Sequence, residues 1–136
     1  MTSSATATID RVEAWHCRVP LAEPLRLGAM TVAARDFVVV SVRTSDGLEG
    51  VAYSLSRGAP VDLVATEVLA PHLLGLSALD IPMCAEAARR GTIALGQAGL
   101  VARAMSLLDI CLWDVKAKAL GIPVWQLMGG YREEAP

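Results

Sequence analysis

The stretch Ser106–Gly130, SLLDICLWDVKAKALGIPVWQLMGG, decides how the rest of the chain reads. It belongs to a long helix, predicted from about Leu100 to Leu120. Ala104, Leu108, Cys111, Val115 and Ala119 recur on one face of that helix at 3.6-residue spacing. Gly121 and Pro123 then form a stop signal, and PVWQLMGG reads as a short helical turn closed by two glycines. The charges invite a catalytic reading, because acids and lysines stand among large apolar residues. Their spacing argues otherwise. Asp114 and Lys118 are an i,i+4 pair with the acid first, the favourable order on a helix surface. Arg103 falls on the same strip, so the expectation is a solvated polar stripe. Asp109 lies nearer the apolar face and has no histidine or second acid four residues away. It is expected to be a structural acid bonded to backbone donors.

Ahead of this helix the pattern changes twice. The first third has the period of strands. ATIDRVEAWHCRVPL is rich in Ile, Val and Trp and reaches Pro20, and DFVVVSVRT places Val38, Val40 and Val42 on one face. Ser45-Asp46-Gly47 is a tight-turn signal, and LEGVAYSLS is the return strand. Between the first two strands, AEPLRLGAMTVAA contains Pro24 and Gly28 and keeps no clean period, so Leu21–Arg35 reads as a long loop. Shorter helices follow. One carries Val61, Val64, Val68 and His72 at helical spacing and is ended or kinked by Pro71. Another is capped by Asp80 and has Arg89 and Arg90 in its last turn. Strands followed by a run of helices define an α+β fold: a three-stranded antiparallel meander, then a helical bundle on one face of the sheet.

The 136 residues suit one domain. Hydrophobic residues make up 54% and charged residues 19%, against about 45–50% and about 25% in average soluble domains. A membrane span does not account for the excess. The most apolar long window, Ile93–Trp113, contains Gln97, Arg103 and Asp109, whereas a span needs about 20 apolar residues in a row. An apolar surface that meets a partner accounts for it better. The net charge of −2 is scattered, with no basic run, so nucleic acid is not expected as a partner. MTSSATAT at residues 1–8 lacks the basic and apolar regions of a secretory signal and reads as a frayed tail. Cys17, Cys84 and Cys111 are odd in number and far apart in sequence, which suits a reducing, cytoplasmic setting rather than a disulfide framework.

Familiar catalytic patterns are missing. His16 and His72 have no metal-ligand spacing around them, GTIALGQAG lacks the ending of a phosphate loop, and neither Ser54 nor Ser56 lies in a nucleophile elbow. No catalytic residue and no metal ligand is therefore assigned. The candidates that remain flank the meander. Arg26 and Met30 lie in the first loop, and Tyr53, Ser54, Ser56 and Arg57 in a second loop, roughly Tyr53–Pro60, that overlaps the end of the third strand. Arginine can grip a carboxylate through two parallel bonds, and tyrosine or serine can bond hydroxyls.

The segment Ala104–Gly130 resembles the last cap helix and exit turn of the mandelate racemase/muconate lactonizing enzyme family, within the enolase superfamily. The resemblance rests on Ala104, Ser106, Asp109, Leu112, Asp114, Ala117, Lys118, Pro123, Val124, Leu127 and Gly129, with Leu107, Cys111 and Val115 as apolar departures. Val19–Ser54 is similar to the family's opening meander. The resemblance implies an N-terminal α+β capping domain over residues 9–130, with 131–136 starting a linker to a (β/α) barrel that this chain lacks. In the family the barrel carries a Lys or His base, three carboxylates and the Mg²⁺ that stabilises an enediolate. The cap carries loops that close over the barrel mouth, which implies that Arg26, Met30, Tyr53, Ser54, Ser56 and Arg57 set substrate specificity. Lys116-Ala117-Lys118 has the spacing of the family's base motif by coincidence, since it lies on the cap helix. The implied partners are the barrel, a small carboxylate substrate and further copies in a homo-oligomer. The implied reaction is racemisation, cycloisomerisation or sugar-acid dehydration, with this chain inactive by itself and binding no cofactor. The alternative is a stand-alone binding or oligomerisation module built on the same cap fold.

Overall fold

The computed structural model describes residues 7–132. Three strands, β1 (Ile9–Leu27), β2 (Met30–Thr44) and β3 (Glu49–Leu55), form one antiparallel sheet in the order β1-β2-β3. Helices follow: a composite α1 (Val61–Leu63, Val64–Leu69 and Ala70–His72), α2 (Ile81–Gly91), α3 (Gly99–Leu120) and the one-turn α4 (Val124–Leu127). The expected α+β architecture is present. β2 is central, and alternation along it sends Val38, Val40 and Val42, each 0% exposed, into the core under the helices. The Asp46-Gly47 turn joins β2 to β3, with Thr44 N–H donating to Leu48 O at 2.9 Å.

The segment read as a long loop is instead a hairpin arm. β1 and β2 stay paired from Arg18↔Asp36 out to Leu27↔Met30, with a register shift between Pro20 and Leu25. Pro20 and Pro24 look like strand breakers in sequence. β1 is an edge strand, where a missing N–H is tolerated. The turn is only two residues long, and Gly28 supplies its φ of +61°. β3 pairs with β2 no further than Leu55↔Phe37, so the arm overhangs the sheet as a two-stranded ribbon. Six residues beyond Asp36 carry its tip about 20 Å past the end of β3.

α1 also departs from the simple period. Val61, Ala65, Leu69 and the following Leu73 are buried at four-residue spacing, with Ala70 beside them, while His72 is exposed. The Val64–Leu69 segment is π-helical, and its wider turn replaces the 3.6-residue repeat that selected Val64, Val68 and His72. Ala7 and Thr8, expected in the frayed tail, are held in place. Ala7 is buried and its carbonyl accepts from Ala78 N–H at 2.8 Å, while Thr8 bridges Ser77. Residues 1–6 and 133–136 of the expected tail and linker lie outside the described residues.

α2 starts as anticipated, with Asp80 Oδ1 accepting from Met83 N–H at 3.1 Å. Arg89 and Arg90 do more than complement the helix dipole. Both donate to Glu86, at 2.7 and 2.6 Å. The bonds from Arg89 first, then Arg90, hold the Glu86 carboxyl down from 4.5 to about 2. A depressed folded-state value means a stabilising contribution that is present above pH 4.5 and is lost as the pH falls towards 2. The expected NMR result is a Glu86 carboxyl titrating near 2, moving up towards its ordinary value when Arg89 and Arg90 are both replaced by alanine.

α3 lies across β2 and β3. Ala104, Leu108, Cys111 and Val115 are buried as the period indicated, joined by Leu107 and Leu112, but Ala119 is exposed because the helix has by then passed its buried stretch; Ala117 is the last buried position. Contact with β3 is close. A Cβ on Gly50 would stand 2.0 Å from the carbonyl oxygen of Cys111, and Cys111 Sγ itself reaches Val40 O at 3.4 Å. After Gly121 the chain leaves Ile122, Trp125, Met128 and Tyr131 exposed beside Leu120, an apolar cluster at the C-terminal end of α3.

Candidate functional site

The polar stripe on α3 is exposed, with the expected Asp114–Lys118 pair in place, and it also binds the sheet. β3 is the second edge of the sheet, and its free backbone groups face α3. Asp114 Oδ2 accepts from Val51 N–H at 3.0 Å and from Lys118 Nζ at 2.8 Å. Lys118 Nζ also donates to Glu49 O at 2.7 Å, and the Arg103 guanidinium donates to Leu55 O. The stripe therefore fastens the strand edge at Glu49, Val51 and Leu55. Asp114→Ala leaves Val51 N–H without its acceptor and Lys118 without its counter-charge. A loss of about 1–2 kcal/mol in urea unfolding is expected, with Asp114→Asn, which retains an acceptor, recovering part of it.

Where β3 ends, the chain turns sharply. Ser56 is fully buried, its N–H donating to Asp36 O at 2.8 Å and its Oγ bonded to His16 Nε2 at 2.8 Å. Arg57 also donates to Asp36 O, at 3.4 Å, and takes a left-handed backbone with φ of +54°. That conformation costs a non-glycine residue about 1–2 kcal/mol. The turn sets Arg57 beside Ser54, Leu55 and Arg103, and these four residues line an open recess of about 400 Å³.

The six residues singled out in the sequence thus separate. Ser54 and Arg57 meet at the recess. Ser56 lies beneath it, where its hydroxyl is committed to His16. Strand pairing extends to Leu55, so period two sends Tyr53 to the other side of the sheet. There it is 72% exposed, in register with Val39 and Trp15, and its ring meets Phe37 edge-on at 6.2 Å. Arg26 and Met30 sit at the arm tip, on the same end of the sheet as the recess but far beyond it. Sequence reasoning missed Arg103, although its place on the Asp114–Lys118 strip was the available signal.

Asp109 is half-buried on the wall of a separate groove of about 590 Å³ between α2 and α3. Burial pushes its carboxyl up, and a hydrogen bond from the Trp113 indole partly offsets this. The group that offsets burial is thus a side chain one turn along, and the expected backbone donors do not contribute. Among the described residues, no three His, Cys, Asp or Glu side chains converge to hold a metal ion. The residues present do not fit the Mg²⁺ that the family resemblance associates with a barrel. No helix among them is long and apolar enough to cross a membrane.

A three-stranded sheet covered on one face by helices, with an overhanging hairpin and a charged recess at one end, defines a capping-type α+β domain. The chain matches the family model for the mandelate racemase/muconate lactonizing enzyme N-terminal domain over residues 8–129, and it belongs to that family. It is 33% identical to L-talarate/galactarate dehydratase of Salmonella typhimurium, in an alignment covering 97% of this chain and 36% of the relative. It is also 33% identical to chloromuconate cycloisomerase of Cupriavidus pinatubonensis, covering 90% of this chain and 34% of that enzyme. An enolase from Bradyrhizobium, crystallised with magnesium and mandelic acid, superposes with a TM-score of 0.83 at 28% identity, over 93% of this chain and 36% of that one. The chain spans about a third of the length of the curated relatives it matches.

Proposed function

We propose that this chain is the substrate-capping domain of a Mg²⁺-dependent cytoplasmic enzyme that removes the proton α to a carboxylate, in the manner of a racemase, cycloisomerase or sugar-acid dehydratase. The cap performs no proton transfer itself. Its part is to close the end of a barrel, exclude water and present side chains to the portion of the substrate remote from the reacting carbon. The arm tip with Arg26 and Met30, together with Ser54 and Arg57, forms the substrate-facing end. Ser56 and His16 hold the turn beneath them, and Tyr53 serves the outer face of the sheet. The apolar cluster from Leu120 to Tyr131 is the seat of the barrel contact.

The observation that carries this reading is the overhang. A family match along nearly the whole chain coincides with a 20 Å-scale ribbon that has no core of its own, at the sheet end where the β3 turn also opens. The test is a chimera in which residues 8–129 replace the matching segment of the Salmonella dehydratase. With Mg²⁺ and a panel of 2-hydroxy and sugar acids, the chimera is expected to exchange the α proton with deuterium above the level of the capless barrel, and the isolated chain is expected to give none. A folded chimera no better than the capless barrel, or exchange by the isolated chain above a metal-only control, overturns the proposal.

A further inference from the structure

We infer that the outward strip of α3 from Asp109 to Lys116 is a self-complementary docking surface, and that its occupant is a second copy of this chain with its own α3 antiparallel. Asp109, Trp113 and Lys116 recur at intervals of four and three residues, so they stand one above another on one helix face. That face turns away from the sheet, against which Ala104, Cys111 and Val115 are fully buried. Ile110, 49% exposed, borders the strip. The Trp113 indole donates to the Asp109 carboxyl on one side, and Lys116 Nζ lies 5.8 Å from the ring centroid on the other. An acid, a flat ring and a base are thus held in line, about 10 Å from end to end at 1.5 Å per residue.

Charge selects the partner. Among the described residues neither Asp109 nor Lys116 has an opposite charge within ion-pair distance, whereas Asp114 and Lys118 on the neighbouring strip pair with each other. The two unmatched charges have opposite signs and lie on either side of Trp113. A two-fold axis through Trp113, perpendicular to the helix, brings Asp109 of each copy against Lys116 of the other and lays one indole on its mate. Two-fold interfaces require this kind of self-complementarity. A parallel copy would set acid on acid and base on base, so the antiparallel orientation follows from the charges. Burial already pushes the Asp109 carboxyl up. A purely apolar cover would deepen that cost, whereas the second copy supplies a cation at each end of the contact. The strip also borders the groove of about 590 Å³ between α2 and α3, where Ala85, Ala102 and Ser106 leave a low rim for a second helix. Two helical turns with part of α2 beside them make a small footprint for a specific interface, so dissociation in the micromolar range is expected. The strip stops one turn short of Leu120, so the contact leaves the Leu120–Tyr131 cluster uncovered and does not rest on the capping reading.

The test is sedimentation velocity on the 136-residue chain, over a concentration series from about 5 to about 500 μM that brackets micromolar dissociation. The wild type is expected to dimerise. Raising NaCl from about 0.05 to about 0.5 M should weaken the dimer several-fold, because partly exposed ion pairs are screened. Asp109→Lys and Lys116→Asp each place like charges at both ends of the contact, and each should weaken dimerisation about a hundred-fold. Mixed together, these two variants should form a heterodimer about as tight as the wild-type dimer, since every altered charge then meets its opposite. Lys116→Arg should dimerise like the wild type. If Asp109→Lys does not fold by circular dichroism, the contrast between Lys116→Asp and Lys116→Arg decides the matter. A wild-type chain that stays monomeric at the highest concentration in low salt overturns the proposal. So does a dimer that both reversals leave intact, or one that mixing the folded variants does not restore. Capture of the chain by the capless Salmonella barrel that Lys116→Asp abolishes names the barrel as the occupant of the strip, and overturns it as well.

Discussion

Gly50→Ala lowers the stability of the domain by about 3 kcal/mol, the upper part of the usual range for overpacking. The reason is specific. The added Cβ would stand 2.0 Å from Cys111 O and 2.9 Å from a Val115 methyl group. The first of these is helix backbone, which cannot swing aside as a side-chain tip can. Either α3 lifts from β3 or the strand bends away. Both movements stretch the bonds from Asp114 to Val51 and from Lys118 to Glu49. Gly58→Ala is the informative comparison. Its Cβ meets nothing within 4 Å, but the backbone φ is +77°, so it pays only the conformational cost of about 1 kcal/mol. Urea midpoints should rank wild type above Gly58→Ala and Gly58→Ala above Gly50→Ala. Equal midpoints for the two alanine variants would mean that α3 does not press on β3 as closely as described.

Leu69→Ala is the second large effect, at about 3 kcal/mol. Leu69 is 0% exposed, in the π-helical turn of α1, and belongs to the same core cluster as Val38, Leu108 and Val115. Truncation removes buried apolar surface and leaves a hole between the helices and the sheet. The irregular turn limits how far the neighbouring chain can close it, since adjacent Ala65 and Ala70 are already small and buried. Leu74, five residues later and 47% exposed, supplies the control, and its alanine variant should stay within about 0.5 kcal/mol of wild type. The two variants together test whether the buried repeat of α1 is the four-residue one.

Much of this fold is legible in the sequence wherever the signal is local. The Asp46-Gly47 turn, the alternating valines of β2, the Asp80 cap and the long period of α3 each depend on neighbours within a few residues. The features that escaped depend on partners far along the chain. Pro20 and Pro24 read as breakers until β1 is known to be an edge strand. The period of α1 is disguised by a widened turn. The α3 stripe reads as surface and nothing more, because helix spacing alone does not reveal that a strand edge lies across it. The candidate site shows the same division. Arg57 and Ser54 could be named from residue chemistry, but assigning Tyr53 to the other face needed the end of β3. Arg103 needed the packing of α3, forty-eight residues away from Leu55.

The fastening of β3 has a wider consequence for how the sheet can grow. A sheet of three strands has two rims, and an open rim is a template on which another extended chain can nucleate a growing ribbon. One rim here is occupied by Arg103, Asp114 and Lys118. The other is β1, interrupted by two prolines and a register shift and flanked by Arg11, Glu13 and Arg18. Both rims are thus interrupted along part of their length, β3 by side chains of α3 and β1 by its prolines, so a strand added at either rim meets a broken ladder rather than a full-length one.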